Sequence, residues 1–148
     1  MNLPKEELNG IVVKDLLKSN IYDVNETIVI IGSCLQYMEK EAYKKITEFC
    51  SNIYELCLEQ THINMAITKI GGMLRTGKIK KIIFASVNKS PHCIQMHYIQ
   101  DELCKMMNLK DIEIINYVVE KGELVNIPAE TIKLSKNLIQ LQEFKNNN

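Results

Sequence analysis

The chain has 148 residues with 18 basic and 18 acidic side chains and a pI near 6.8. That size suits one domain with a single real core. A neutral balance lacks the electrostatic footprint of a nucleic-acid or anionic-membrane binder. No apolar run approaches a membrane span, and Met1 to Gly10 carries Glu6 and Glu7 without an apolar signal region, so a cytosolic setting is expected. Five cysteines, an odd number without a close C-x-x-C pair, argue against a disulfide framework, a zinc ribbon or a thioredoxin motif and for reduced thiols.

Pro4 is suited to open a helix over Lys5 to Leu17, although Gly10 costs it about 1 kcal/mol relative to Ala and Ile11-Val12-Val13 also reads as a short strand. Thr27 to Ile31, Ile53 to Leu58 and Lys81 to Val87 are continuous apolar runs of the kind found in parallel strands covered on both faces. Between them the period is helical. Leu35, Met38, Ala42, Ile46 and Phe49 share one stripe, and Ile63, Ala66, Ile67, Ile70 and Leu74 a second. The second helix is interrupted by the pair Gly71-Gly72, which reads most plainly as a packing kink and otherwise as a place where a backbone or ligand comes close, and it stops at Gly77. A third stripe holds His92, Met96, Ile99, Leu103 and Met106. Ile112 to Val119 reads as a fourth strand, and Lys121-Gly122 as a tight turn into a short strand at Leu124 to Ile127. Pro128 opens a last helix with Ile132, Leu134, Leu138 and Leu141 apolar, and residues 145–148 read as a disordered tail. Strands alternating with helices predict a three-layer α/β sandwich, Rossmann-like or flavodoxin-like. Its sheet would be mostly parallel, about four strands plus a short C-terminal hairpin strand, with the strand order left open.

In such a sheet the strand-to-helix junctions line the carboxyl edge, where open α/β folds bind ligands. Three junctions carry Cys or His. At the first, Ser33 and Gln36 fit a capping box that places Cys34 at the first helical position. At the second, Thr61 is the expected N-cap, followed by His62. At the third, Asn88-Lys89-Ser90-Pro91-His92-Cys93, Ser90 caps, Pro91 begins the helix and Cys93 falls at N3, where the helix dipole and nearby Lys89 favour a thiolate. The stripe turns His92 toward the sheet edge and leaves Cys93 on the flank.

Several other residues have plain readings. His97 and Asp101, one turn apart, read as a surface pair. Cys50 and Cys57 sit in apolar context and read as core. Cys104, ~10 Å along the helix from His97, is too far to share a metal with it. Ile94 and Tyr98 lie off the core stripe and form a candidate homodimer or partner surface.

Three functions compete. Cys34, His62, His92 and Cys93 are candidate ligands for a transition metal or an iron–sulfur cluster. Alternatively Cys93 is a nucleophilic or redox thiol with His92 or His62 as base. Or Ser33, Thr61, Asn88, Lys89 and Ser90 hold a small anion in a non-catalytic regulatory or accessory subunit. No glycine-rich phosphate loop is present, since Ile31-Gly32-Ser33 has one glycine where a dinucleotide fingerprint has three. The expected partner is a small molecule or a metal, not a nucleic acid or a membrane.

Overall fold

The computed structural model describes residues 13–49 and 51–147. Its elements in chain order are β1 (Lys14–Asp15), β2 (Glu26–Gly32), α1 (Leu35–Met38), α2 (Lys40–Thr47), β3 (Ile53–Leu56), α3 (Ile63–Leu74) and β4 (Ile79–Val87), then a 3₁₀ turn (Cys93–His97), α4 (Tyr98–Met106), β5 (Glu113–Glu120), β6 (Glu123–Asn126), α5 (Ala129–Ser135) and α6 (Leu138–Asn146). The sheet order is β1-β3-β2-β4-β5-β6, parallel throughout except for the antiparallel β5–β6 hairpin. The three-layer α/β sandwich is therefore present.

Alternation along the buried strands divides the core in two. Ile28, Ile30, Ile82 and Phe84 face α3 and α4, whereas Val29, Ile31, Ile83 and Ala85 face α1 and α2. Fully burying such a side chain contributes about 1.5–3 kcal/mol, which explains why both faces of β2 and β4 read as one apolar run. Gly71 and Gly72 do not interrupt α3. A Cβ at Gly71 would stand 3.3 Å from Leu103 Cδ2, and one at Gly72 would stand 3.1 Å from Tyr22 Cε1, so the pair admits two neighbours. Lys121 and Gly122 both have positive φ, 52° and 79°, as the two-residue hairpin turn requires.

Other elements depart from the expected pattern. The expected N-terminal helix lies outside the described residues as far as Val12. Beyond it Lys14–Asp15 is an edge strand and Leu16 begins a turn, so no helix reaches Leu17. The first helical stripe is broken at Glu39 (φ −134°, ψ 66°), which exposes Met38 and Phe49. The break lets the Glu39 carboxylate accept from Gly122 N–H at 3.0 Å, tying the hairpin to this face. The C-terminal helix is also two helices. Asn137 caps the second by accepting from Gln140 N–H, and α6 continues to Asn146, into the segment expected to be a disordered tail. Leu138 is 74 % exposed rather than core. Among the described residues no helix is long and apolar enough to cross a membrane.

Candidate functional site

The chain leaves β2 toward α1 and α2 on one face of the sheet and on to β3 at one side, and leaves β4 toward α4 on the other face and on to β5 at the opposite side. The carboxyl ends of β2 and β4, which are neighbours, therefore flank a topological switch point, the place where open α/β sheets form a crevice. Cys34 follows β2, Cys93 follows β4, and their sulfurs are 3.6 Å apart. Gly32 makes the approach possible, because a Cβ there would lie 2.7 Å from Cys93 Sγ.

Local structure at the third junction sets the direction of Cys93. Ser90 Oγ accepts from Cys93 N–H at 3.2 Å, but the helical turn begins at Cys93 with His92 as its N-cap, so Cys93 is the first residue of the turn and not the third as expected. From Cys93 the chain winds into a 3₁₀ turn, not an α-turn. Its period of three aligns Cys93, Met96 and Ile99 inward, and all three are buried while His92 is exposed. This reverses the expectation of His92 at the edge and Cys93 on the flank, which rested on α-helical phase. The Cys93 thiol is lowered to about 6. The Cys34 thiol contributes most; the Ser90 hydroxyl, the Val87 amide and the charge of His92 add to it, and burial opposes them. Cys34 is pushed up by the same hydrogen bond, by burial and by the Cys93 charge. The two sulfurs thus share one proton, with the negative charge on Cys93.

Cys57, expected in the core, is half-buried at the end of β3, and its charge raises Cys34 further. Cys50 lies outside the described residues, and Cys104 is exposed. The S-x-x-Q capping box does not form. Cys34 is itself the N-cap of α1, and Gln36 Nε2 donates instead to Glu55 Oε2 at 2.8 Å, across to β3. Ser33 is half-buried and donates its N–H to Leu56 O. At the second junction His62, not Thr61, is the N-cap of α3 and is exposed. The four-residue metal set of Cys34, His62, His92 and Cys93 does not assemble. Among the described residues no three His, Cys, Asp or Glu side chains gather to hold a metal ion, because both histidines point to solvent while the thiols turn inward. Of the expected anion set, Asn88, Lys89 and Ser90 line one cavity at the end of β4. Asn88 and Lys89 are exposed on the loop after β4, Lys89 standing 3.9 Å from Glu120, while the Ser90 hydroxyl is engaged by Cys93.

A second polar cluster lies one strand away. His97 is not on the surface and does not meet Asp101, which pairs with Lys136. Its Nε2 is 2.6 Å from Ser86 Oγ and its Nδ1 is 2.8 Å from Asn116 Oδ1. Asn116 Nδ2 donates to Gln100 Oε1 at 2.8 Å, which leaves Oδ1 as an acceptor. His97 Nδ1 therefore carries the proton, and Nε2 accepts from the Ser86 hydroxyl. Burial holds the imidazole below its usual pKa, opposed by Asn116. Sequence reasoning missed Ser86 and Asn116, yet a signal was there. Each is a polar residue within a continuous apolar strand, and a buried polar group requires a partner.

A family model for the Rossmann-like domain matches residues 23–148. The chain belongs to this family. No curated protein and no solved structure matches it. This Rossmann-like domain carries Gly32-Ser33-Cys34 at the β2–α1 turn, so a thiol stands where a dinucleotide-binding member has further glycines. Tyr98, expected on a partner face with Ile94, is half-buried. Its hydroxyl is 3.4 Å from Ser135 Oγ and Lys136 Nζ lies 5.1 Å from its ring centre, while Ile94 is exposed.

Proposed function

We propose that this Rossmann-like domain is a thiol–disulfide redox protein, with Cys93 as the attacking thiolate and Cys34 as the resolving thiol. The observation that carries the reading is the 3.6 Å approach of the two sulfurs at the switch point, under a glycine that leaves room for it. Cys93 attacks one sulfur of a substrate disulfide, forming a mixed disulfide and releasing the other sulfur as a thiolate. Cys34, relieved of its hydrogen bond to a thiolate, loses its proton to water and attacks the Cys93 sulfur. The second substrate thiolate leaves, and the Cys34–Cys93 disulfide forms as the sulfurs close to about 2.05 Å. The substrate gains two electrons and the dithiol loses two. In a reducing cytosolic setting a small thiol restores the pair by the reverse exchange. A metal or iron–sulfur centre on the same edge is the weaker reading, since among the described residues no third ligand gathers beside these two thiols.

The test is equilibration in glutathione buffers of graded potential, then differential alkylation and peptide mapping, beside metal and sulfide analysis of anoxically purified protein. A single two-electron transition that places the disulfide between Cys34 and Cys93, with Cys93 alkylating along a pH curve centred near 6, is expected. Independent oxidation of the two thiols, or stoichiometric metal on the purified chain, overturns the reading.

A further inference from the structure

The Ser86–His97–Asn116 cluster has no part in the thiol chemistry, and its geometry is that of an activated nucleophile. Three observations bear on it. The hydroxyl, base and orienting group stand in sequence at 2.6 and 2.8 Å, with the imidazole held in the tautomer that accepts the serine proton. Asn116 is itself held by Gln100. A cavity of about 260 Å³, lined by Ser86, Lys89, Ser90, Pro91, Ile94 and Val118, opens beside the serine at the carboxyl edge. Packing alone needs no such array, for an apolar residue at any of these three positions would continue the strand or helix pattern around it.

We propose that Ser86 is the nucleophile of a small acyl-ester hydrolase site, with His97 as general base and Asn116 as the residue that positions the imidazole. Ser86 Oγ attacks the ester carbonyl carbon and its proton passes to His97 Nε2. The C–O bond of the ester breaks, and the departing alkoxide takes that proton and leaves as the alcohol. Water, deprotonated by His97, then attacks the acyl-serine, the acid is released, and the proton returns to Ser86 Oγ. Ester and water become acid and alcohol. Ser86 is 1 % exposed, so only a group that enters the cavity reaches it. That restricts the substrate to a short acyl chain among Pro91, Ile94 and Val118, with the exposed Lys89 at the mouth to receive an anionic alcohol portion.

The experiment uses the full chain with all five cysteines, Cys34, Cys50, Cys57, Cys93 and Cys104, changed to Ala, so that thiols cannot respond. It is treated with methanesulfonyl fluoride and mapped by peptide mass spectrometry, and is assayed in parallel with p-nitrophenyl acetate. An adduct at Ser86 is expected, together with turnover that falls at least ~100-fold in Ser86→Ala and in His97→Gln. Asn116→Asp, which keeps an acceptor at Nδ1, should retain turnover that Asn116→Leu loses, a rescue that a packing role does not predict. Because the adduct is mapped on a chain with an intact Ser86, misfolding of Ser86→Ala cannot disguise the answer. Absence of an adduct at Ser86, or full turnover in a folded Ser86→Ala, overturns the proposal.

Discussion

Between β2 and β4 a half-buried thiol meets a buried one 9 % exposed, whereas one strand further, between β4 and β5, Ser86, His97 and Asn116 are each at most 3 % exposed. Both clusters are fed by the same 3₁₀ turn, which carries Cys93 at one end and His97 at the other. The thiol pair divides one proton unevenly, and the low-pKa member stays beside the resolving thiol. The relay is neutral, and each polar atom in it faces a partner of the opposite kind. An anion near the edge keeps water and amides around it, while a group under α4 has only its neighbours. The two sites differ less in residue type than in how much solvent remains to stabilise a charge.

The largest effect is expected from Asn116→Leu. It orphans His97 Nδ1–H at a cost of about 1–3 kcal/mol, read as a lower urea midpoint, while the Cys34–Cys93 potential stays put. A change below about 0.5 kcal/mol would mean that the relay contributes nothing to stability.

Gly32→Ala attacks the other region. The new methyl meets Cys93 Sγ at 2.7 Å, and overpacking of this kind costs about 1–3 kcal/mol. Disulfide formation should become harder and the pH curve of Cys93 alkylation should move up, with ester turnover untouched. A shift in both sites would show that the 3₁₀ turn moves as one body.

Cys34→Ala removes the main cause of the lowered Cys93 pKa, so alkylation at pH 7 should slow. Full return from about 6 to the free-thiol value of about 8.5 cuts the thiolate fraction roughly 30-fold. Ser90 and Val87 should keep the observed loss below that. The folded-state lowering of Cys93 also stabilises the fold at alkaline pH. That contribution is complete above the unfolded thiol value and is lost as pH falls through about 6. Urea midpoints from pH 5.5 to 9 should therefore rise less steeply in Cys93→Ala than in the parent.

Lys136→Met should have the smallest effect. It removes the partner of Asp101 and the cation over Tyr98, both near the surface, for about 0–1 kcal/mol. Lys136 holds the Asp101 carboxyl below its ordinary range. The difference between parent and variant should persist above about pH 4 and vanish as pH falls through the lowered value. Thermal melts at pH 7 and pH 2.5 check it.

The three long strands β2, β4 and β5, the short β3, α3 and the Lys121-Gly122 turn were legible because their signals are local: an unbroken apolar run, a 3.6-residue period, a residue pair able to take positive φ. The two broken helices were not, since the break at Glu39 goes with a contact to the distant Gly122, and Asn137 starts a new helix by capping it through Gln140, neither of which the apolar period registers. At the site, the cysteines at two junctions were legible as thiols on one edge. Their proximity was not, because it depends on β2 and β4 being neighbours although β3 lies between them in the chain. His92 and Cys93 exchanged roles for a smaller reason, a change of period from 3.6 to 3.0 within one turn.

Composition and pattern alone settled the layered α/β class, the positions of Cys34 and Cys93 just after two of its strands, and the Ser90 contact with the Cys93 N–H. Those properties arise from backbone hydrogen bonding and side-chain period, which act over a few residues. Tertiary structure alone decided that Cys34 reaches Cys93 under Gly32, that His62 and His92 are exposed, and that His97 is buried between Ser86 and Asn116. These depend on strand order and on which face of each strand is covered, and both emerge only when the whole sheet has closed over its two cores.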